Sequence, residues 1–161
     1  MHRDRPSEPT GTFRFRLPIE TRFRDTDAMG HVNNAVYLTY FEMARAAYYR
    51  EVTGATFGIG AETGEGARSF ILAEARVTFA SPAFFGEPLE VETRVDWVGR
   101  SSFGMAYRLT AGASPRGPAH LVAFGETAQV MYEYGRARVR RLPAELVALF
   151  EAYEGRPIPR R

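Results

Sequence analysis

The chain has 161 residues, 45% hydrophobic and 13% aromatic, with 21 basic residues against 19 acidic and a formal net charge of +2. That length suits one domain with a full core; the absence of cysteine removes disulfides, thiolate nucleophiles and Cys-type zinc sites together, and no apolar run is long enough to span a bilayer. Every basic residue is arginine, yet no nucleic-acid-binding motif accompanies them, and the polar, arginine-rich start lacks a signal-peptide pattern, so a cytoplasmic protein with neither nucleic acid nor membrane as partner is expected.

Residues 1–11 mix Arg, Pro, Ser, Glu and Gly without periodicity and read as a disordered leader. From Phe13 the pattern alternates, with Phe13, Phe15, Leu17, Ile19 and Phe23 set against Arg14, Arg16, Glu20 and Arg22. This predicts a strand with one buried face, and Pro18 puts it at a sheet edge. A turn dense in reactive groups follows, with Asp27 four residues before His31 and with Asn33-Asn34 where a helix can begin. Asn is a favoured N-cap residue, and residues 35–50 contain no Gly or Pro. Their apolar side chains leave only Thr39, Glu42 and Arg45 as a narrow polar stripe, so this helix is expected to be enclosed nearly all round. Gly54 to Gly66 reads as a flexible loop whose glycines fit neither a phosphate loop nor a dinucleotide fingerprint.

Four more strands are expected near residues 71–79, 89–97, 103–111 and 120–132. The last carries Val122, Phe124, Ala128, Val130 and Tyr132 on one apolar face that Glu126 interrupts. Pro143 opens a short C-terminal helix that runs to about residue 153. Meandering strands pair antiparallel, and a sheet that curls around the helix buries both. The expectation is an α+β domain over 12–142, a curved antiparallel five-stranded sheet wrapped around one long central helix, followed by a short helix and tail over 143–161.

The first turn of a helix carries unpaired N–H groups and the positive end of a dipole, which suits the oxygen of a polarised carbonyl. A carboxylate on the same turn can attack that carbonyl or activate a water. The same spacing also describes an Asp-rich turn closed by an Asn cap, with Asp25 bonded to the turn's own backbone. Glu42 is a rival carboxylate, but Arg45 at i+3 suggests an ion pair; Glu74 and Glu126 are weaker rivals. His2, His31 and His120 have no metal-ligand spacing.

The run Asp25-Thr26-Asp27-Ala28-Met29-Gly30-His31-Val32-Asn33-Asn34, with Tyr37 following, resembles the hotdog-fold thioesterases of the 4-hydroxybenzoyl-CoA thioesterase family. Ser81-Pro82-Ala83 ahead of Gly86-Glu87, and Gly99-Arg100-Ser101-Ser102-Phe103, look like that family's turns around its third strand. The resemblance covers about residues 13–134. It implies the hotdog fold, with Asp27 as the catalytic general base or nucleophile and His31 as the second catalytic candidate. Backbone N–H groups near Asn34 and Ala35 would polarise the thioester carbonyl, and Asn33, Tyr37, Arg100, Ser101 and Ser102 would contact substrate. It further implies an acyl-CoA substrate, no metal, no cofactor beyond the coenzyme A of the substrate, and a dimer or dimer of dimers joined edge to edge. His31-Val32-Asn33-Asn34 also looks like the plant-type acyl-carrier-protein thioesterases, although Met29 stands where their Asn belongs. A carrier-protein thioesterase and a non-catalytic acyl-CoA-binding hotdog module are therefore the alternatives.

Overall fold

The alternating segments become strands β1 (Phe15–Ile19), β2 (Phe70–Phe79), β3 (Leu89–Val98), β4 (Ser102–Ala111) and β5 (His120–Glu133), with a two-residue β6 (Arg138–Val139). Two helices, α1 (Val36–Thr53) and α2 (Ala144–Glu154), complete the computed structural model, which describes residues 6–54 and 69–161. Beyond Gly54, the glycine-rich stretch lies outside the described residues. The strands pair antiparallel in the order β1-β3-β4-β5-β2, with β6 on β5. Pro18 sits on an edge strand, in register with Glu90 of β3, the place in a sheet where proline is ordinarily found. The sheet curves around α1 in the hotdog arrangement, and β2 forms its other edge. Among the described residues no helix is long and apolar enough to cross a membrane.

Helix α1 runs unbroken to Gly54, whose φ of 69° is a left-handed conformation open to glycine without steric cost. Tyr37, Tyr40, Phe41, Ala44, Tyr48 and Tyr49 are buried. Phe41 stacks on Tyr107 with centroids 4.6 Å apart, and Tyr48 meets Phe15 edge-on at 5.7 Å. Two expectations change here. The helix is not enclosed all round, because Leu38, Thr39, Glu42 and Met43 are exposed. Nor is Arg45 part of a solvated stripe: it is only 7% exposed and reaches inward to the Tyr107 hydroxyl at 3.5 Å. The expected Glu42–Arg45 ion pair is absent among the described residues.

On β4 the alternation holds, with Phe103, Met105, Tyr107, Leu109 and Ala111 all buried. A bulge between Val95 and Trp97 on β3 turns the indole to the outer face, where it covers Gly104. On β5 the expected face is inverted. Gly125, Thr127, Gln129 and Met131 point toward α1, because the Phe41 ring lies against Gly125 and Tyr107 bonds Thr127. Phe124, Glu126, Ala128, Val130 and Tyr132 share the outer face. Residues 6–12, the described part of the expected leader together with Thr12, cross that outer face. Glu8 pairs with Arg108 at 2.8 Å, and Arg94 Nη1 donates to the carbonyls of Thr10 and Thr12 at 2.7 and 3.3 Å.

Glu154 on α2 joins three elements: its Oε1 accepts from the Tyr48 hydroxyl at 2.6 Å and from the Val95 N–H at 3.0 Å. The carboxylate is 5% exposed, so water cannot replace a lost donor. Tyr48→Phe is therefore expected to lower stability by about 1.5–3 kcal/mol, the range for a hydrogen bond to a charged group, read as a lower urea midpoint with an unchanged slope.

Candidate active site

Residues 25–33 fold back on themselves as a small hairpin. The Asn33 N–H donates to the Asp25 carbonyl at 2.8 Å, Thr26 bridges Val32, and the Asp27 N–H donates to the His31 carbonyl at 2.8 Å. Gly30, at φ 79°, supplies the left-handed residue that closes the tip. Asp27 thus stands where the tip begins. Its Oδ1 accepts from the Met29 N–H at 2.8 Å and the His31 N–H at 3.3 Å, the local bonding to which Asp is suited. Its Oδ2 has no hydrogen bond among the described residues, and the side chain is exposed. The turn therefore orients this carboxylate through one oxygen and presents the other.

Asp25 does the opposite work. It is buried, and its Oδ2 accepts from the Arg22 N–H at 2.9 Å, Arg22 Nε at 3.2 Å and the Tyr40 hydroxyl at 3.0 Å. Burial alone would raise its pKa. The Arg22 and Tyr40 donors outweigh burial and hold the carboxyl below its ordinary value. The Tyr40 phenol, raised first by burial and then by Asp25, is pushed up to about 12. Asp25 is the strut between hairpin and helix.

The His31 ring meets Phe84 edge-on at 4.9 Å, and its backbone bridges the same residue. His31 therefore ties the hairpin to the loop before β3, and its ring makes no hydrogen bond to Asp27. Neither asparagine is the N-cap of α1: Ala35 holds that place without a side-chain cap bond, and Asn33 closes the turn ahead of it. The Asn33 Oδ1 accepts from the Ala35 N–H at 2.9 Å, and its carbonyl accepts from the Val36 N–H at 2.9 Å. The Ala35 N–H is already used, so of the two expected carbonyl-polarising groups only the Asn34 N–H lacks an acceptor among the described residues. Tyr37 is buried with its ring edge-on to Phe79 at 5.1 Å, a floor beneath the hairpin and not an open contact surface.

Arg100, Ser101 and Ser102 lie at the far end of β3, roughly 30 Å from the hairpin at about 3.3 Å per strand residue; the fold does not bring them to Asp27 within one chain. Arg100 instead borders a cavity of about 780 Å³ with Arg140, Arg141, Arg160 and Arg161 near the start of α2. Glu74 and Glu126 flank Arg76 on the outer face at 3.9 and 3.4 Å. Among the described residues no group of three His, Asp or Glu side chains is placed to hold a metal. A feature missed in the sequence is an apolar collar around the hairpin: Phe23, Met29 and Phe85 are exposed, with Phe23 and Phe85 6.2 Å apart edge-on. Its signal was an unpaired Met at the tip of an otherwise polar turn.

The sequence profile of the thioesterase-like superfamily matches residues 21–150. The acyl-CoA thioester hydrolase YbgC of Escherichia coli O157:H7 is 26% identical over 137 residues, which cover 85% of this chain and 96% of that protein. A crystal structure of a thioesterase from Thermus thermophilus, complexed with coenzyme A and zinc, superposes with a TM-score of 0.73 at 32% identity, covering 91% of this chain and 98% of that one. The 4-hydroxybenzoyl-CoA thioesterase from Pseudomonas sp. strain CBS-3 shares the fold, with a TM-score of 0.68 at 19% identity over 84% of this chain and 97% of that one.

Asp25→Asn is expected to destabilise the protein at neutral pH by about 1–3 kcal/mol, through loss of charge-assisted bonds in a buried site. Because the folded-state pKa is depressed, this contribution is present above the unfolded value of 3.8 and is lost as pH falls through the folded one. Urea unfolding across pH 7 to 3 should therefore show the gap between wild type and variant closing below about pH 4.

Proposed function

This chain belongs to the thioesterase-like superfamily and is a thioester hydrolase, and we propose that it cleaves acyl-coenzyme A thioesters at the Asp27 hairpin. The observation that carries this is an exposed carboxylate held through one oxygen at the tip of the hairpin that leads into α1, where the Asn34 N–H lacks an acceptor among the described residues. The thioester carbonyl oxygen accepts from the Asn34 N–H, where the helix dipole adds to the polarisation. Asp27 Oδ2 takes a proton from water as the resulting hydroxide adds to the carbonyl carbon, and negative charge gathers on the oxygen held by Asn34. Collapse breaks the C–S bond, and the departing thiolate receives the proton from Asp27. The products are a carboxylic acid and free coenzyme A. In the nucleophilic variant Asp27 itself adds, expels the thiolate and forms an anhydride that water then opens.

Self-association fits this chemistry. Among the described residues the outer edge of β2 is unpaired, and Leu72 and Phe79 on it are 47% and 48% exposed, a pattern that invites strand-to-strand pairing. Antiparallel pairing of two β2 edges would set the far end of the partner's β3, where the Arg100 to Ser102 turn lies, at the hairpin's end of the sheet, within reach of the phosphates of a bound coenzyme A. That arrangement supports an active site shared between two copies.

Asp27→Asn is expected to lose at least about a hundredfold in kcat on acyl-CoA, the lower end for a general base, with the fold intact by circular dichroism. A wild-type protein that binds acyl-CoA without releasing thiol would favour the non-catalytic module, and turnover confined to acyl chains on a carrier protein would favour that substrate.

A further inference from the structure

A positive charge is buried in this core without an anion. Arg45 is 7% exposed, and its hydrogen bond to the Tyr107 hydroxyl, at 3.5 Å, is at the limit of such a contact. Among the described residues no carboxylate pairs with it. Tyr107 does not supply the missing charge, because burial pushes its phenol above the ordinary value of 10.0 and keeps it neutral. Buried charges are ordinarily paired, since the uncompensated ion is costly in a low-dielectric interior.

The surroundings of Arg45 are also polar where a core strand should be apolar. The Tyr107 hydroxyl lies 2.9 Å from Thr127 Oγ1, and Gln129 Nε2 bonds the same oxygen. Gln129 is fully buried, and its Oε1 has no partner among the described residues. Rotating that amide by half a turn would present an NH2 donor instead. The cluster therefore offers a guanidinium, a hydroxyl and an amide end with hydrogen-bonding capacity to spare.

The cluster itself is buried, but the rims of the seam beside it are exposed in the single chain. Leu72, Ala75 and Phe79 sit opposite Gln129, Thr127 and Ala123 in the register, on the α1 side of the sheet, yet all three are exposed. Leu38 and Glu42 on the matching flank of α1 are exposed too. Ten residues of helix separate Ala35 from Arg45, about 15 Å at 1.5 Å per residue. Helical side chains lean toward the N-terminus, so the guanidinium comes within roughly 10 Å of the first turn.

We propose that the α1–β2 seam holds the acyl chain and that Arg45, with Tyr107, Thr127 and Gln129, receives a carboxylate at its far end, making short dicarboxylic monothioesters the preferred substrates. This rests on the thioesterase function proposed above. A five- or six-carbon diacid spans the distance from the Asn34 N–H to the guanidinium once a hydrogen bond of about 2.9 Å is added. Phe41, stacked on Tyr107, closes the wall beside it.

The test compares glutaryl-CoA with valeryl-CoA, chains of equal length that differ in the terminal carboxylate, by thiol release and by calorimetric binding to the Asp27→Asn variant. Wild type is expected to favour glutaryl-CoA at least tenfold in kcat/KM. Arg45→Met should bring the glutaryl-to-valeryl ratio of kcat/KM down to about one, and Arg45→Lys, the gentler change, should keep part of the preference. Equal turnover of the two thioesters by wild type, or a loss on Arg45→Met that is the same for both, would overturn the assignment and leave Arg45 a structural residue. If neither thioester is hydrolysed, the hydrolase mechanism fails but the binding data still decide: tighter binding of glutaryl-CoA supports the Arg45 site, and equal binding refutes it.

Discussion

A buried carboxylate holds the candidate site in place. Asp25 is tied to Arg22 on the approach to the hairpin and to Tyr40 one turn into α1, so the hairpin and the helix cannot move independently. From that joint follow the orientation of Asp27 at the tip and the direction of the first helical N–H groups. The cost of burying a charge is offset because the Arg22 and Tyr40 donors converge on it. Asp27, two residues on, is left outside this network, with one oxygen bound by its own turn and the other facing solvent. The same residue type thus serves as scaffold and as reagent according to its place in one small hairpin.

The sheet and helix are related in a similar way. The large rings of α1 fill the concave side, and β5 answers with Gly125 where Phe41 needs room and with Thr127 near Tyr107. Polar residues on the inner face of β5 and the exposed apolar residues of β2 belong to one region, the open flank of α1. Apolar residues face water and polar ones face the core along the same seam. Departures of this kind from ordinary patterning concentrate where a protein binds something, and here they surround the path leading away from the Asp27 hairpin.

Much of this could be read in the sequence. The alternation of β1 and β4, the Pro18 edge, the uninterrupted α1 and the Asp27–His31 turn all follow from local rules of period and propensity. The inner face of β5 could not be read, because Gly125, Thr127 and Gln129 look like a solvated face until Phe41 and Tyr107 are placed above them. Arg45 misled for the same reason: its spacing from Glu42 suits a surface ion pair, and only packing shows the guanidinium turned inward. Asn33 and Asn34 look like caps in the sequence, yet α1 begins after Ala35, because the Asn33 N–H is held by the Asp25 carbonyl, a contact across the turn. Arg100, Ser101 and Ser102 have a phosphate-binding composition, but their distance from Asp27 is set by strand length.

The proposed chemistry turns on the Asn34 N–H, which has no acceptor among the described residues, as the donor that meets the thioester oxygen. Its decisive test is amide proton–nitrogen NMR of the whole protein with a non-hydrolysable acyl-CoA, its thioester sulfur replaced by methylene to leave a ketone. A marked downfield shift of the Asn34 amide proton is expected on binding, with the Ala35 amide little changed. Saturable binding with the Asn34 amide unmoved, or with the principal shift on another backbone amide, would refute that role.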